Sequence, residues 1–159
     1  MERTPIKHHI VELRDLKANL RLENEVEYFD QDLLPKLRAA IAHAGAYLGR
    51  DLSVCERLSF SYGGNPEPIE LDPAMIIRSV TVAGQKLAWE DWAVYKDRLV
   101  LPADTAEGAE VVVETRYRDD VRVAILMHAS YMWEHPQDTV ETLDKASAKL
   151  LAQYRYYNG

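Results

Sequence analysis

The hydrophobic period of this chain changes twice, and those two changes limit what it can fold into. Up to about residue 49 apolar side chains recur every three or four positions. From Ser53 to about Arg118 they alternate every second position, and from Val121 onward the wider spacing returns. These are the side-chain repeats of helix and of strand. The pattern predicts an α+β fold that is mainly helical, a small bundle of about four helices with an antiparallel sheet or hairpin region inserted at about 53–118. A chain of 159 residues accommodates this as one domain, 1–159.

The helical segments differ in character. Leu13, Leu16 and Leu20 form a short amphipathic stripe, with Glu12, Arg14, Asp15 and Lys17 on its polar side, and Asn24 ends the pattern. Leu33, Leu34, Leu37, Ile41, Ala44 and Leu48 mark one face of a longer helix from about Phe29 to Leu48, about 30 Å in length. Gly49 is placed to end it, and Pro35 suggests a start near Leu34, with the proline in the first turn. Val121 to about Glu134 has almost no polar side, which predicts a helix covered on every face, in a core or between subunits. Asp119 and Asp120 are expected to cap it and Pro136 to stop it. A final helix is expected from about Val140 to Tyr154 on Leu143, Ala146, Leu150 and Leu151.

Between the helices, Leu58, Phe60 and Tyr62 alternate with Arg57, Ser59 and Ser61, and Gly63-Gly64-Asn65-Pro66 closes that strand. Pro66, Pro68 and Pro73 hold a non-helical connection. Ile76, Val80 and Val82 begin a second strand that turns at Ala83-Gly84-Gln85 into Lys86 to Tyr95. Lys96-Asp97 is a second tight turn into Leu99-Val100-Leu101. Val111, Val113, Thr115 and Tyr117 form the last strand.

Composition narrows the function classes. The 28% of charged residues include 26 acidic against 19 basic, a net charge of −7, the opposite of a protein that grips DNA phosphates through a basic face. One cysteine, Cys55, excludes an internal disulfide and a zinc site of several thiolates, and it reads as a small buried strand residue in a protein made in a reducing compartment. No secretory signal is read at Met1-Glu2-Arg3-Thr4-Pro5. The longest apolar run, Val123 to Met127, falls far below the roughly 18 residues of a membrane span. The expectation is a soluble protein with no membrane partner.

Searching for chemistry nominates little. His128, Glu134 and His135 would be the only set for a small zinc or manganese enzyme. Seven residues separate the two histidines, about 10.5 Å along a helix, too far for one ion. A packed histidine and a helix-end histidine are expected instead. Gly63-Gly64-Asn65 lacks the Lys and Ser/Thr of a phosphate loop. His8-His9 reads as an exposed lead-in. Trp89, Trp92 and Tyr95 lack the surrounding Lys and Arg of a base-stacking platform and read as hairpin packing. No catalytic, cofactor-binding or metal residue is assigned, and no cofactor is implied. Two other features stand out. Glu23, Glu25, Glu27, Asp30 and Asp32 form an acidic run without a basic residue, ordinarily a solvated face or helix entry. Tyr154, Arg155, Tyr156 and Tyr157 end the chain with residue types enriched at interface hot spots.

The order of segments carries a resemblance. Val11 to Leu22 leads into a long helix ending Tyr47-Leu48-Gly49-Arg50. Ile77-Arg78-Ser79-Val80-Thr81-Val82 and Val111-Val112-Val113-Glu114-Thr115-Arg116-Tyr117 follow, then the apolar stretch Val123 to Glu134 and the ending Leu150-Leu151-Ala152-Gln153-Tyr154-Arg155. From about His9 to Arg155 this resembles the head–tail connector family (adaptor, or head-completion proteins) of long-tailed double-stranded DNA phages and prophages. Asp119-Asp120 stand where members of that family often carry Gly and Pro. The resemblance implies a non-enzymatic virion component, made in the host bacterial cytoplasm and built into the head–tail junction. It implies a homo-oligomeric ring, commonly twelvefold, beneath the portal protein, which extends the DNA channel and docks a stopper or tail-completion protein. DNA would pass without sequence-specific binding. It further implies a C-terminal portal-docking tail at about 153–159 with Tyr154, Arg155, Tyr156 and Tyr157. The apolar helix would pack in the core and against subunits through Val123, Ile125, Leu126, Ala129, Met132 and Trp133. Glu23, Glu25, Glu27, Asp30 and Asp32 become candidates to face the channel. The alternatives from other classes are a cytosolic interaction domain with no virion role and the metal-dependent enzyme.

Overall fold

The computed structural model describes residues 1–155, which form two compact units. One comprises residues 1–7 and 54–116 and the other 8–53 and the chain from 117 onward.

The first unit holds the strands. β1 (Glu2–Lys7) pairs antiparallel with β2 (Val54–Ser61), a strand the alternation did not predict because it is exposed on both faces apart from Ile6. Its place at the sheet edge explains how Pro5 is tolerated, since an edge strand has one side with no ladder bond to donate. Arg3 fastens β1, its guanidinium 3.0 Å from the Glu56 carboxylate and 2.6 Å from the Glu70 carbonyl. After the two-residue β3 (Glu67–Pro68) come β4 (Met75–Val82) and β5 (Gln85–Lys86), then a single 3₁₀ turn (Trp89–Asp91), β6 (Ala93–Tyr95), β7 (Arg98–Val100) and β8 (Glu110–Tyr117). The strands form a five-stranded sheet in the order β1-β2-β8-β4-β5 and a three-stranded one in the order β3-β7-β6. The expected strand from Lys86 to Tyr95 is broken by the 3₁₀ turn, so the second hairpin belongs to a different sheet.

Period-two alternation makes this core. Val111, Val113 and Thr115 of β8 are buried in turn, and Leu58, Ile77, Val80, Leu99 and Leu101 join Val111 and Val113 in one apolar cluster. Buried Thr115 is satisfied by Glu56, whose N–H it accepts and to whose carbonyl it donates, both at 3.0 Å. Arg57 and Glu114, directly opposite across β2 and β8, form a 2.7 Å ion pair on the outer face. Both hairpins turn through two residues of positive φ, Ala83 and Gly84 in one and Lys96 and Asp97 in the other. That is the turn whose twist matches the strands.

The second unit is helical: α1 (Leu13–Asn19), α2 (Asp30–Leu48), α3 (Asp119–Glu134) and α4 (Lys145–Leu151), with a closing 3₁₀ turn (Ala152–Tyr154). α2 and α3 pack along each other, α1 against both, and α4 against α3. Leu33, Leu37, Ala40, Ala44 and Leu48 supply the buried stripe of α2. Its end is a Schellman motif. Gly49 is left-handed at φ 69°, and the N–H groups of Gly49 and Arg50 bond to the Ala46 and Gly45 carbonyls. Gly45 is required there, since a Cβ would stand 2.7 Å from the Arg50 carbonyl.

Three helical expectations are corrected. α2 begins at Asp30 and carries Pro35 as its sixth residue; Gln31 and Pro35 are both exposed, so water can serve the carbonyl that the proline leaves without an N–H. Asp119 and Asp120 lie inside the first turn of α3, where they act through the helix dipole; the cap position is Arg118, whose side chain does not cap the helix. The last helix is shorter than expected, because Asp144 caps it by accepting from the Ala146 and Ser147 N–H groups at 3.1 Å. The α+β class holds, but at about 35% helix and 26% strand the protein is not mainly helical. No helix is long and apolar enough to cross a membrane among the described residues.

Candidate functional site

The acidic run lies on the connection from α1 to α2 and on the first turn of α2. Glu23, Glu25, Glu27 and Asp32 are exposed, while Asp30 is half-buried and paired. Its partner is Lys17, placed on the polar side of α1 by periodicity but only 3% exposed. The Lys17 ammonium lies 2.6 Å from the Asp30 carboxylate, 2.9 Å from the Val26 carbonyl and 3.1 Å from the Asn24 carbonyl. Two hydrogen bonds and an ion pair thus enclose the ammonium, the compensation that a buried charge needs. One lysine fixes the backbone of the acidic connection, and the glutamates project from it into solvent.

α3 departs from an all-round buried helix. Val121, Ala124, Ile125, His128, Ala129 and Met132 are buried, and Leu126 and Trp133 are half-buried. Val123 and Met127, one turn apart, are 47% and 38% exposed. The helix therefore shows an open apolar stripe. A helix with no polar side cannot reveal from its own sequence which strip its neighbours leave uncovered.

The described part of the C-terminal segment lies on its own helical unit. The Tyr154 hydroxyl and the Gln153 amide both donate to the Asp120 carboxylate, the latter at 3.1 Å. The Arg50 guanidinium donates to the Tyr154 carbonyl, and that of Arg155 sits over the Tyr47 ring at 4.8 Å. Burial first and Asp120 second raise the Tyr154 phenol above its ordinary value. Tyr156 and Tyr157 lie outside the described residues.

Sequence periodicity missed a polar cluster inside the bundle. His128 of α3, fully buried, has a partner at each ring nitrogen. Nε2 is 2.8 Å from His43 Nδ1 on α2, and Nδ1 is 2.9 Å from the Asp144 carboxylate that caps α4. With neutral rings one N–H bridges the two histidines, and His128 Nδ1 either donates to the Asp144 carboxylate or accepts from the Asp144 N–H, 3.2 Å away. Burial opposes the charge on Asp144, but hydrogen bonds from Ser147 and His128 outweigh it and hold the carboxyl below its ordinary value. The one local signal was Asp144 standing before a short apolar run, a cap residue by type. His128, Glu134 and His135 are not brought together, since Glu134 and His135 are exposed and His135 stacks on Tyr131. No three His, Cys, Asp or Glu side chains are placed to hold a metal ion among the described residues.

The remaining candidates separate. Cys55 is buried. His8 is half-buried, continues the β1–β2 ladder through its N–H to Ser53, and lies near the Tyr117 ring, so only His9 is an exposed lead-in. Trp92 packs on the sheet core, whereas Trp89 and Tyr95 are 79% and 66% exposed. Hairpin packing accounts for the first of these aromatics and leaves the other two open.

No protein-family model matches the chain, and no curated protein matches it. Among solved structures it is similar to a chain of the neck of an empty gene transfer agent particle computed with C6 symmetry, with 17% identity and a TM-score of 0.47 over 100% of this chain and 97% of that one. It is also similar to a chain of the virion of a native gene transfer agent particle, with 16% identity, a TM-score of 0.47 and the same coverage. A third similar chain comes from the neck of a native particle computed with C12 symmetry, at 16% identity and a TM-score of 0.42 over 98% of this chain and 97% of that one.

Proposed function

We propose that this protein is a structural virion component, a head–tail connector that forms a ring below the portal, extends the DNA channel and docks the next head-completion or tail protein. The observation that carries the reading is the apolar surface left open, above all the Val123–Met127 stripe on α3. A protein that works as a monomer has reason to cover such a stripe, and a subunit of a ring covers it with its neighbour. The ordered resemblance from His9 to Arg155 and the net charge of −7 agree with it, because an acidic channel wall weakens the counterion-release binding that would hold DNA in place. The ring is expected to be twelvefold on the portal. The stripe contributes to subunit packing, and the chain beyond Arg155 contributes to portal docking.

Electron microscopy of the purified protein mixed with its portal ring tests this directly. Additional density stacked on the portal is the expected result; a protein that stays monomeric beside intact portal rings overturns the reading. Val123→Asp with Met127→Asp should leave circular dichroism unchanged, because both side chains already face water, and should abolish ring formation.

A further inference from the structure

We infer that the Asp144–His128–His43 chain is an acid-released latch, which holds α4 and the connection before it against α2 and α3 at neutral pH and lets them go when both histidines carry a proton. The three groups come from three elements: His43 from α2, His128 from α3 and Asp144 from the start of α4. Opening the chain therefore parts helices rather than moving one side chain.

The proton inventory gives the latch its threshold. Two neutral rings hold two ring N–H groups, and one of them bridges the 2.8 Å contact between His43 Nδ1 and His128 Nε2 whichever ring carries it. A first added proton fits without breaking the contact between the rings, since a nitrogen outside it, His43 Nε2 or His128 Nδ1, takes it, the latter facing the Asp144 carboxylate. A second places an N–H on both nitrogens of a 2.8 Å contact, which then has no acceptor, and sets two like charges against each other. Asp144 can offset one of those charges; it cannot accept from both rings, since His128 lies between it and His43.

The polar contacts of the two rings are with each other and with Asp144, and ionisable groups on the packed helices have partners of their own. α2 presents His43 to the His128 ring, and the start of α4 presents Asp144. On α1, Lys17 is paired with Asp30, and Asp15 faces Arg122 at 3.7 Å. On α3 itself, Asp120 accepts from Tyr154 and Gln153.

Burial first and His128 second lower the His43 value below its ordinary 6.5. A histidine depressed in the folded state leaves folding untouched above 6.5, and stability is lost as the pH falls from there through the lowered value. Asp144 acts in a separate window. Its contribution is present above the ordinary carboxyl value of 3.8 and is lost only as the pH falls through its own lowered value. The loss that begins below 6.5 thus belongs to the His43–His128 contact and not to Asp144.

Hydrogen exchange of the intact protein, read by mass spectrometry and corrected for the intrinsic pH dependence, tests the latch. Between pH 7.5 and 5, protection of residues 136–148 should fall at least tenfold while β2 and β8 keep theirs. In His43→Gln the amide donates to His128 without titrating, and the fall should shrink below threefold. Unchanged protection in the wild-type protein, or an equal fall in His43→Gln, overturns the inference. Should that variant not fold, imidazole ¹⁵N spectra of the wild-type protein decide. Acidification should change the His43 and His128 signals together with the loss of protection, and titration of both rings with 136–148 still protected overturns it.

Discussion

Lys17 shows how a single side chain can reverse what its neighbours suggest. Flanked by Leu16 and Ala18 in a short amphipathic helix, it has the sequence position of a solvated lysine, yet its ammonium is enclosed by Asp30 and two backbone carbonyls. Nothing in its own helix predicts this, because the acceptors arrive from residues seven to thirteen positions later. Replacing Lys17 by Met keeps the stem and removes two hydrogen bonds and an ion pair, leaving two carbonyls without their donor and Asp30 without its counter-charge. Asp30 remains half-open to water, so the loss should be about 2–3 kcal/mol rather than the larger figure for a fully buried pair. Urea unfolding measures it. A change below about 0.5 kcal/mol, the range of ordinary surface substitutions, would mean that the enclosed ammonium does not organise the connection.

At the scale of elements, the hairpin turns were legible and the starts of the helices were not. Lys96-Asp97 was readable as a tight turn because two polar residues, one of them Asp, stand between two alternating runs. The structure adds that both residues have positive φ, which a non-glycine residue adopts at a cost of roughly 1 kcal/mol. Asp97→Gly relieves that cost, partly offset by the greater freedom of glycine in the unfolded chain, and should stabilise the β6–β7 hairpin by about 0.5 kcal/mol. Slower amide exchange in residues 93–100 is the expected outcome; faster exchange would mean that Asp97 is favourable where it stands. Pro35 and Asp144 make the complementary point. The proline suggested a helix start and proved to be interior, because the face it occupies is exposed. The aspartate, inside what periodicity read as continuous helix, proved to be the start of α4.

For the whole molecule, charge is the property with the widest reach. On the ring reading, Glu23, Glu25, Glu27, Asp30 and Asp32 repel phosphates over about a Debye length, near 8 Å at physiological salt. Because Asp30 holds Lys17, the informative variant changes only the exposed Glu23, Glu25, Glu27 and Asp32 to Lys, and it should retain DNA in a salt-sensitive way while staying folded. Unchanged DNA affinity would return the run to a solvated helix entry. Much of the architecture was present in the sequence alone: the two changes of period, the alternation of β8, the buried stripe of α2 and its end at Gly49. These follow from backbone geometry, which repeats every 3.6 or 2 residues and so writes itself into the order of side chains. The edge strand β1, the enclosure of Lys17, the open stripe at Val123 and Met127 and the joining of His43 to His128 and Asp144 were decided only by the tertiary structure. Each depends on which distant segment arrives beside a residue, and burial or a hydrogen-bond partner supplied from elsewhere in the chain leaves no periodic mark on the residues that receive it.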